Sequence, residues 1–162
     1  PNLDILLKNM WETMYEAHGV GLAAPQIGHS IRLFIVDSEQ LEKEEYPKHI
    51  GFKKVFINAQ KIEETGEKWS YEEGCLSIPN IRGEVLRKPL LTLRYLDENF
   101  VERTETFDGI NARVIQHEYD HIDGVLFTDH LSPVKRTLLR NKLENIRRGK
   151  ASADYKIKFM PR

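Results

Sequence analysis

The sequence has a single cysteine, Cys75, and so cannot close an internal disulfide. Its stability must come from a hydrophobic core, and the free thiol fits a reducing compartment and is open to ligation or chemistry. No apolar run approaches the roughly 18 residues a membrane-spanning helix needs, so no membrane is expected as a partner. No signal peptide is legible after Pro1, where the chain opens without Met. Neither charge sign is in excess: 24 Lys and Arg stand against 25 Asp and Glu, and no global field points to nucleic acid. Internal repeats, low-complexity stretches and linkers are absent, so residues 1–162 are read as one domain. The dinucleotide fingerprint is missing too. The Gly- and Ala-rich stretch from Gly19 to Gly28 lacks the G-x-G-x-x-G spacing and precedes a strand rather than a helix.

What is present is unevenly charged. From Pro133 to Arg162 ten Lys and Arg face only Glu144 and Asp154, about +8 on the tail and about −9 on the rest. A basic C-terminal helix of this kind is either a solvated face or a docking surface for RNA or a membrane surface.

Periodicity gives the elements. Leu3 to His18 carries Leu3, Leu6, Leu7, Met10, Trp11, Met14 and Tyr15 on one helical stripe, with Gly19 as its cap. Ile31 to Val36 reads as a strand, and Asp37 to Phe52 as a polar surface loop. A strand begins at Lys54, and Lys61 to Ser70 reads as strand, turn at Gly66 and return. Glu72 to Pro79 reads as irregular, with Cys75 on an exposed backbone. Leu90 to Leu96 and Phe100 to Phe107 form a hairpin. A helix follows, with Asp108 as N-cap, Gly109 in its first turn and Gly124 after its end. Ser132-Pro133 opens a last helix that Gly149 closes, with Leu138, Leu139, Leu143 and Ile146 toward the core. Tyr155 to Met160 alternates like a short final strand.

The chemistry concentrates on Gln116-His117-Glu118-Tyr119-Asp120-His121. Positions i and i+4 of a helix share a face, so His117 and His121 can bind one metal ion, and Glu118 can act as a general base on water. The third ligand stays open at this level. A metzincin would need His at position 127, which is Phe127, and this counts against a zincin-type endopeptidase. Glu144 on the last helix and Cys75 upstream both remain. Cys75 has three readings: thiolate ligand, nucleophile with His117 as its base, or inert buried thiol. Gln26 is either a loop side chain in water or an amide that donates to a substrate oxygen. His18, His29, His49 and His130 lack ligand spacing and read as surface histidines.

Three stretches now stand in order: Gly19-Val20-Gly21-Leu22-Ala23-Ala24-Pro25-Gln26, Glu73-Gly74-Cys75-Leu76-Ser77 and Gln116-His117-Glu118-Tyr119-Asp120-His121. Together they resemble the peptide deformylase family at every fixed motif position, over most of the chain. The resemblance implies an α+β fold, with antiparallel sheets around a central metal-binding helix and helices flanking it at both ends. It selects Cys75 over Glu144, giving Cys75, His117 and His121 as ligands of one ion per chain. That ion is expected to be Fe(2+), with Zn(2+), Ni(2+) or Co(2+) able to replace it. The implied reaction removes the formyl group from the N-formylmethionyl end of nascent peptides. In it Glu118 moves the proton, while the Gln26 amide and the Leu76 N–H hold the oxyanion. Gly21 is expected to contact the peptide backbone, and Val20, Ile110 and Val114 to line a methionine pocket. Asp120 is expected to pair with Arg87 behind the ligands, with Glu73 in a similar supporting role. The basic C-terminal helix would dock on the ribosome. The location would be cytoplasmic in a bacterium, organellar in a eukaryote. Family members carry a further N-terminal segment with a strand, which is not legible here and leaves the edge of one sheet open.

Overall fold

The structure is a computed structural model and describes residues 2–41 and 45–159. Helix α1 spans Leu3–Glu16, with the Asn2 side chain accepting from the Asp4 and Ile5 amides. Strand β1, Gly21–Ala23, leads into a 3-10 turn, Ala24–Ile27. Then come β2 (Leu33–Asp37), β3 (Lys53–Thr65), β4 (Trp69–Cys75), β5 (Ile78–Arg87), β6 (Leu90–Leu96) and β7 (Glu102–Asp108). Helix α2 is Gly109–Ile122, and a 3-10 turn, Phe127–His130, precedes α3, Pro133–Arg147.

Five strands form one antiparallel sheet in the order β1-β2-β3-β6-β7, and among the described residues β4 pairs only with β5. β2 shows why the large sheet is central, because all five of its residues are buried. Phe34 and Val36 pack with Phe56, Leu91, Leu93 and Phe107 against Ala112, Ile115 and Tyr119 of α2. Leu33 and Ile35 face the other way, onto Leu6, Leu7, Met10 and Met14 of α1. A strand covered on both faces reads as a continuous apolar run, which is what Leu33 to Val36 shows. A third cluster joins Ile78, Ile81 and Val85 of β5 to Phe127, Leu131 and Leu139. The α+β class with antiparallel sheets is therefore as expected.

Several local expectations change. α1 ends through His18, whose φ of 57° takes the left-handed role expected of Gly19. Gly19 is small for another reason: a Cβ there would lie 2.8 Å from Leu76 Cδ1. β3 runs unbroken to Thr65, and the chain after Gly66 turns into the second sheet instead of returning along β3. Cys75 is the last residue of a strand, not part of an irregular segment. β5 was not legible, because two of its inward positions are Gly83 and Arg87. Gly83 must be bare, since a Cβ would meet Leu131 Cδ2 at 2.5 Å. Arg87 is buried because carboxylates meet it. Leu138 points outward at 73% exposure, whereas Leu139 is buried. Tyr155–Phe159 is not a strand, because its backbone pairs with no sheet, and Met160 lies outside the described residues.

Candidate metal centre

α2 is the hub, with ten of its fourteen residues buried although its sequence is far from apolar. Such a helix is stable only if its buried polar groups find partners. Gln116 donates to the Lys88 carbonyl at 3.0 Å and Asn111 to the Ile50 carbonyl at 2.8 Å. Arg113, whose direction the sequence does not reveal, is 2% exposed. It donates to Glu73 Oε2 and to the Val85 and Trp69 carbonyls, with its guanidinium 4.4 Å from the Trp69 ring centre.

On one side of this helix the three candidate ligands converge. Ligating atoms of Cys75, His117 and His121 all lie within 4.8 Å of one another, the one such Cys/His/carboxylate group among the described residues. Cys75 Sγ stands 3.4 Å from His121 Nε2. His117 Nδ1 is 2.9 Å from Glu73 Oε1, which leaves Nε2 as the nitrogen available to a metal. One soft thiolate and two imidazoles at this separation fit a single Fe- or Zn-like ion with an open position. Glu144, the other candidate third ligand, lies elsewhere, on α3, paired with Arg147 and Arg148.

Electrostatics keep the set poised. Burial lowers the His121 pKa to about 4, assisted by the neighbouring His117 charge, so this ring is a neutral donor at neutral pH. Burial alone would raise Glu73, but hydrogen bonds from His117 and Arg87 hold its carboxyl down at about 2. His117 is disfavoured as a cation by burial, yet its contacts with Cys75 and Glu73 raise its pKa to about 10. A metal must therefore displace a proton to bind there.

Behind the ligands Arg87 bridges two carboxylates. Its Nε and Nη2 donate to Glu73 at 2.8 and 3.0 Å, and its Nη1 to Asp120 Oδ2 at 2.8 Å. This is the expected Asp120–Arg87 pair, and Glu73 links it to the His117 ring and to Arg113. His130, read from the sequence as a plain surface residue, also bonds Asp120 Oδ2, at 2.9 Å. No spacing rule could have found it, because a 3-10 turn brings it back onto α2.

A cavity of about 470 Å³ opens beside the ligands. Val20, Gly21, Gln26, Leu76, Val114 and Glu118 all line it. Ile110 does not: it is buried elsewhere, one helical turn of about 6 Å before Val114. The Gln26 amide is held in one orientation, with its nitrogen on the cysteine side of the cavity. Its Oε1 accepts from the Ala23 amide at 2.9 Å, and its Nε2 faces Ser77 Oγ at 3.0 Å and Cys75 Sγ at 3.6 Å. Glu118 Oε2 is buried without any hydrogen-bond partner. Burial, together with the Glu73 charge, raises its pKa to about 7 against the pull of His117. A bare residue at Gly21 makes room for this carboxylate. Tyr155 was not foreseen as a cavity residue. Nothing in the sequence marks it, because only the return of the tail after α3 brings it there.

Comparison with known proteins agrees across nearly the whole chain. Residues 1–137 match the family model described as polypeptide deformylase. The peptide deformylase of Christiangramia forsetii is 53% identical over 98% of this chain and 84% of its own length. Among solved structures, the peptide deformylase of Plasmodium falciparum has a TM-score of 0.80 at 34% identity, covering 91% of this chain and 83% of that one. That of Legionella pneumophila has a TM-score of 0.77 at 39% identity, covering 91% and 82%.

Proposed function

From the premise that the chain belongs to the polypeptide deformylase family, we propose that Glu118, Gln26 and the Leu76 backbone perform its reaction beside a metal held by Cys75, His117 and His121. The protein is a metal-dependent hydrolase that removes the N-formyl group from newly made polypeptides and releases formate. When bound, the metal supplies a Lewis acid that polarises the formyl carbonyl and lowers the pKa of a water.

The chain's own groups do the rest. Glu118 takes a proton from the attacking water and returns it to the amine nitrogen as the C–N bond breaks. A buried carboxyl with an oxygen left without a fixed partner is free to take up and give back a proton, which suits both transfers. Gln26 Nε2 and the Leu76 N–H donate to the formyl oxygen as it gains charge. Val20 and Val114 hold the methionine side chain, and Gly21 lets the peptide backbone approach β1 as an added strand. Glu73 fixes the His117 ring, and Arg87 fixes Glu73 and Asp120, so the ligand geometry is set before substrate arrives.

One observation carries the assignment of the base. Among the described residues, Glu118 is the unpartnered buried carboxylate in the wall of the cavity that Cys75 and His117 of the Cys–His–His cluster also line. Its test is formate release from a formyl-Met-Ala-Ser peptide by protein loaded anaerobically with Fe(II). Glu118→Ala should lower the rate by at least about 100-fold with the metal retained. An unchanged rate would remove Glu118 from the mechanism.

We take ferrous iron as the working ion on the family likeness, with zinc, nickel or cobalt as replacements in a soft N/S site. Residues 1–162 are read as one catalytic domain working in a bacterial cytoplasm. The outward Lys135, Arg136, Arg140 and Lys142 of α3 form the basic face that would meet the ribosome. Co-sedimentation with ribosomes that survives reversal of these four charges would refute that contact.

A further inference from the structure

The segment after α3 does not leave the molecule. Gly149, at a φ of 72°, turns the chain, and a Cβ there would meet the Phe159 ring at 3.3 Å. Between these two points the segment is strapped to the two-stranded sheet. Asn80 Nδ2 donates to the Ser152 carbonyl at 3.1 Å. Asn80 itself sits at a φ of 62°, within the irregular register that separates the pairs Gly74↔Arg82 and Cys75↔Ile78. Asn tolerates this left-handed backbone better than most residues, and here the geometry offers its side chain to the tail. Three residues on, Tyr155 Oη donates to the Leu76 carbonyl at 2.7 Å. Ala153, Asp154 and Tyr155 all line the cavity.

Leu76 and Ser77 are the two residues of the tight turn between Cys75 and Ile78. A bond to the Leu76 carbonyl restrains the torsion that aims the neighbouring peptide planes. One of those planes carries the Leu76 N–H. Rate depends steeply on where such a donor points, because it acts on charge that develops only in the transition state.

We infer that Ala153–Tyr155 is a wall of the peptide-binding cleft and that Tyr155 is a positioning residue for the Leu76 turn. The inference rests on the proposal that the Leu76 N–H serves the formyl oxygen. The tail thereby does two separable things. Its hydroxyl sets the turn, which acts on kcat. Its backbone and Asp154 bound the cleft beyond the methionine, which acts on KM for peptides long enough to reach it.

The test uses the full metal-loaded chain, Tyr155→Phe, and a chain ending at Gly149, assayed for formate release from formyl-Met amide and from formyl-Met-Ala-Ser. Tyr155→Phe removes one hydrogen bond and should lower kcat about 3- to 10-fold on both substrates, with KM within about 2-fold and metal content unchanged. The shortened chain should show the same kcat loss and, in addition, a raised KM for the longer peptide only. Wild-type kcat in Tyr155→Phe would overturn the positioning role. So would a kcat loss that merely tracks loss of metal. A shortened chain with higher kcat/KM would overturn the wall, since the tail would then be an obstacle. Gln26→Ala separates the layers: a loss of kcat there beside wild-type kcat in Tyr155→Phe leaves the oxyanion reading standing and overturns the positioning role alone.

Discussion

Adding one methyl group at Gly21 should disable Glu118 without touching the metal ligands. Gly21 is not among the residues with positive φ, so its backbone accepts alanine. The obstacle is the side chain opposite. An alanine Cβ would lie 2.7 Å from both Cγ and Oε1 of Glu118 and 2.9 Å from its Cδ. Ordinary contact begins near 3.4 Å, so Glu118 must move by about 0.7 Å. It cannot swing into water, because the side chain is only 5% exposed, and the clash begins at Cγ rather than at a free tip. Misplacing a catalytic group by about 1 Å costs on the order of 100-fold. Gly21→Ala should therefore lose about 10- to 100-fold in kcat, or roughly 1.4 to 2.7 kcal/mol of barrier. Overpacking should also cost about 1 to 3 kcal/mol of stability. The assay is steady-state formate release beside metal content. A double-mutant cycle makes it decisive: added to Glu118→Ala, the same change should cost little more. A Gly21→Ala enzyme with wild-type kcat, or losses that simply multiply in the double variant, would refute the reasoning.

Arg87→Ala strands Glu73 and Asp120 as buried carboxylates without their shared cation. It should destabilise the metal-loaded protein by about 3 to 5 kcal/mol, a fall of roughly 10 °C in melting temperature by calorimetry. Cys75→Ala should abolish stoichiometric metal binding, whereas Glu144→Ala should leave it intact; elemental analysis after dialysis distinguishes them. Glu73 gives a pH signature. Its folded pKa of about 2 lies below the ordinary 4.5, so its stabilisation is complete above about 4.5 and is lost as pH falls towards 2. In protein stripped of metal, the stability gap between wild type and Glu73→Gln should be flat from pH 7 to 5 and close below that. A gap constant down to pH 2.5 in chemical denaturation would contradict the assignment.

The parts of this protein that follow from neighbours along the chain were legible in the sequence. His117 and His121 share a helical face by spacing alone; that helix starts after Asp108, though the Asp108 side chain makes no capping hydrogen bond, and it stops before the left-handed Gly124 as expected. Ser132 caps α3 as its position before Pro133 predicts, and its Oγ accepts from the Lys135 amide. The runs that became β2 and β6 read directly because their inward positions are apolar. The family motifs likewise carried the family and its reaction, being short strings of fixed residues.

What only the tertiary structure decided are encounters between distant segments that obey no local period. β5 stayed hidden because its inward places hold a glycine pressed on Leu131 and an arginine neutralised from two other elements. Burying that charge is tolerable only where Glu73 and Asp120 arrive from β4 and α2, which no pattern within β5 reports. Val114 reaches the cavity and Ile110 does not, although both lie on one helical stripe, because the cavity ends within a turn of helix. The tail is the plainest case. Its alternation promised a strand, but its backbone pairs with none of the described strands, and it is held instead by Asn80, Leu76 and the turn at Gly149. A sequence states which groups a segment can offer; which partners meet them is fixed by how the sheets and helices pack.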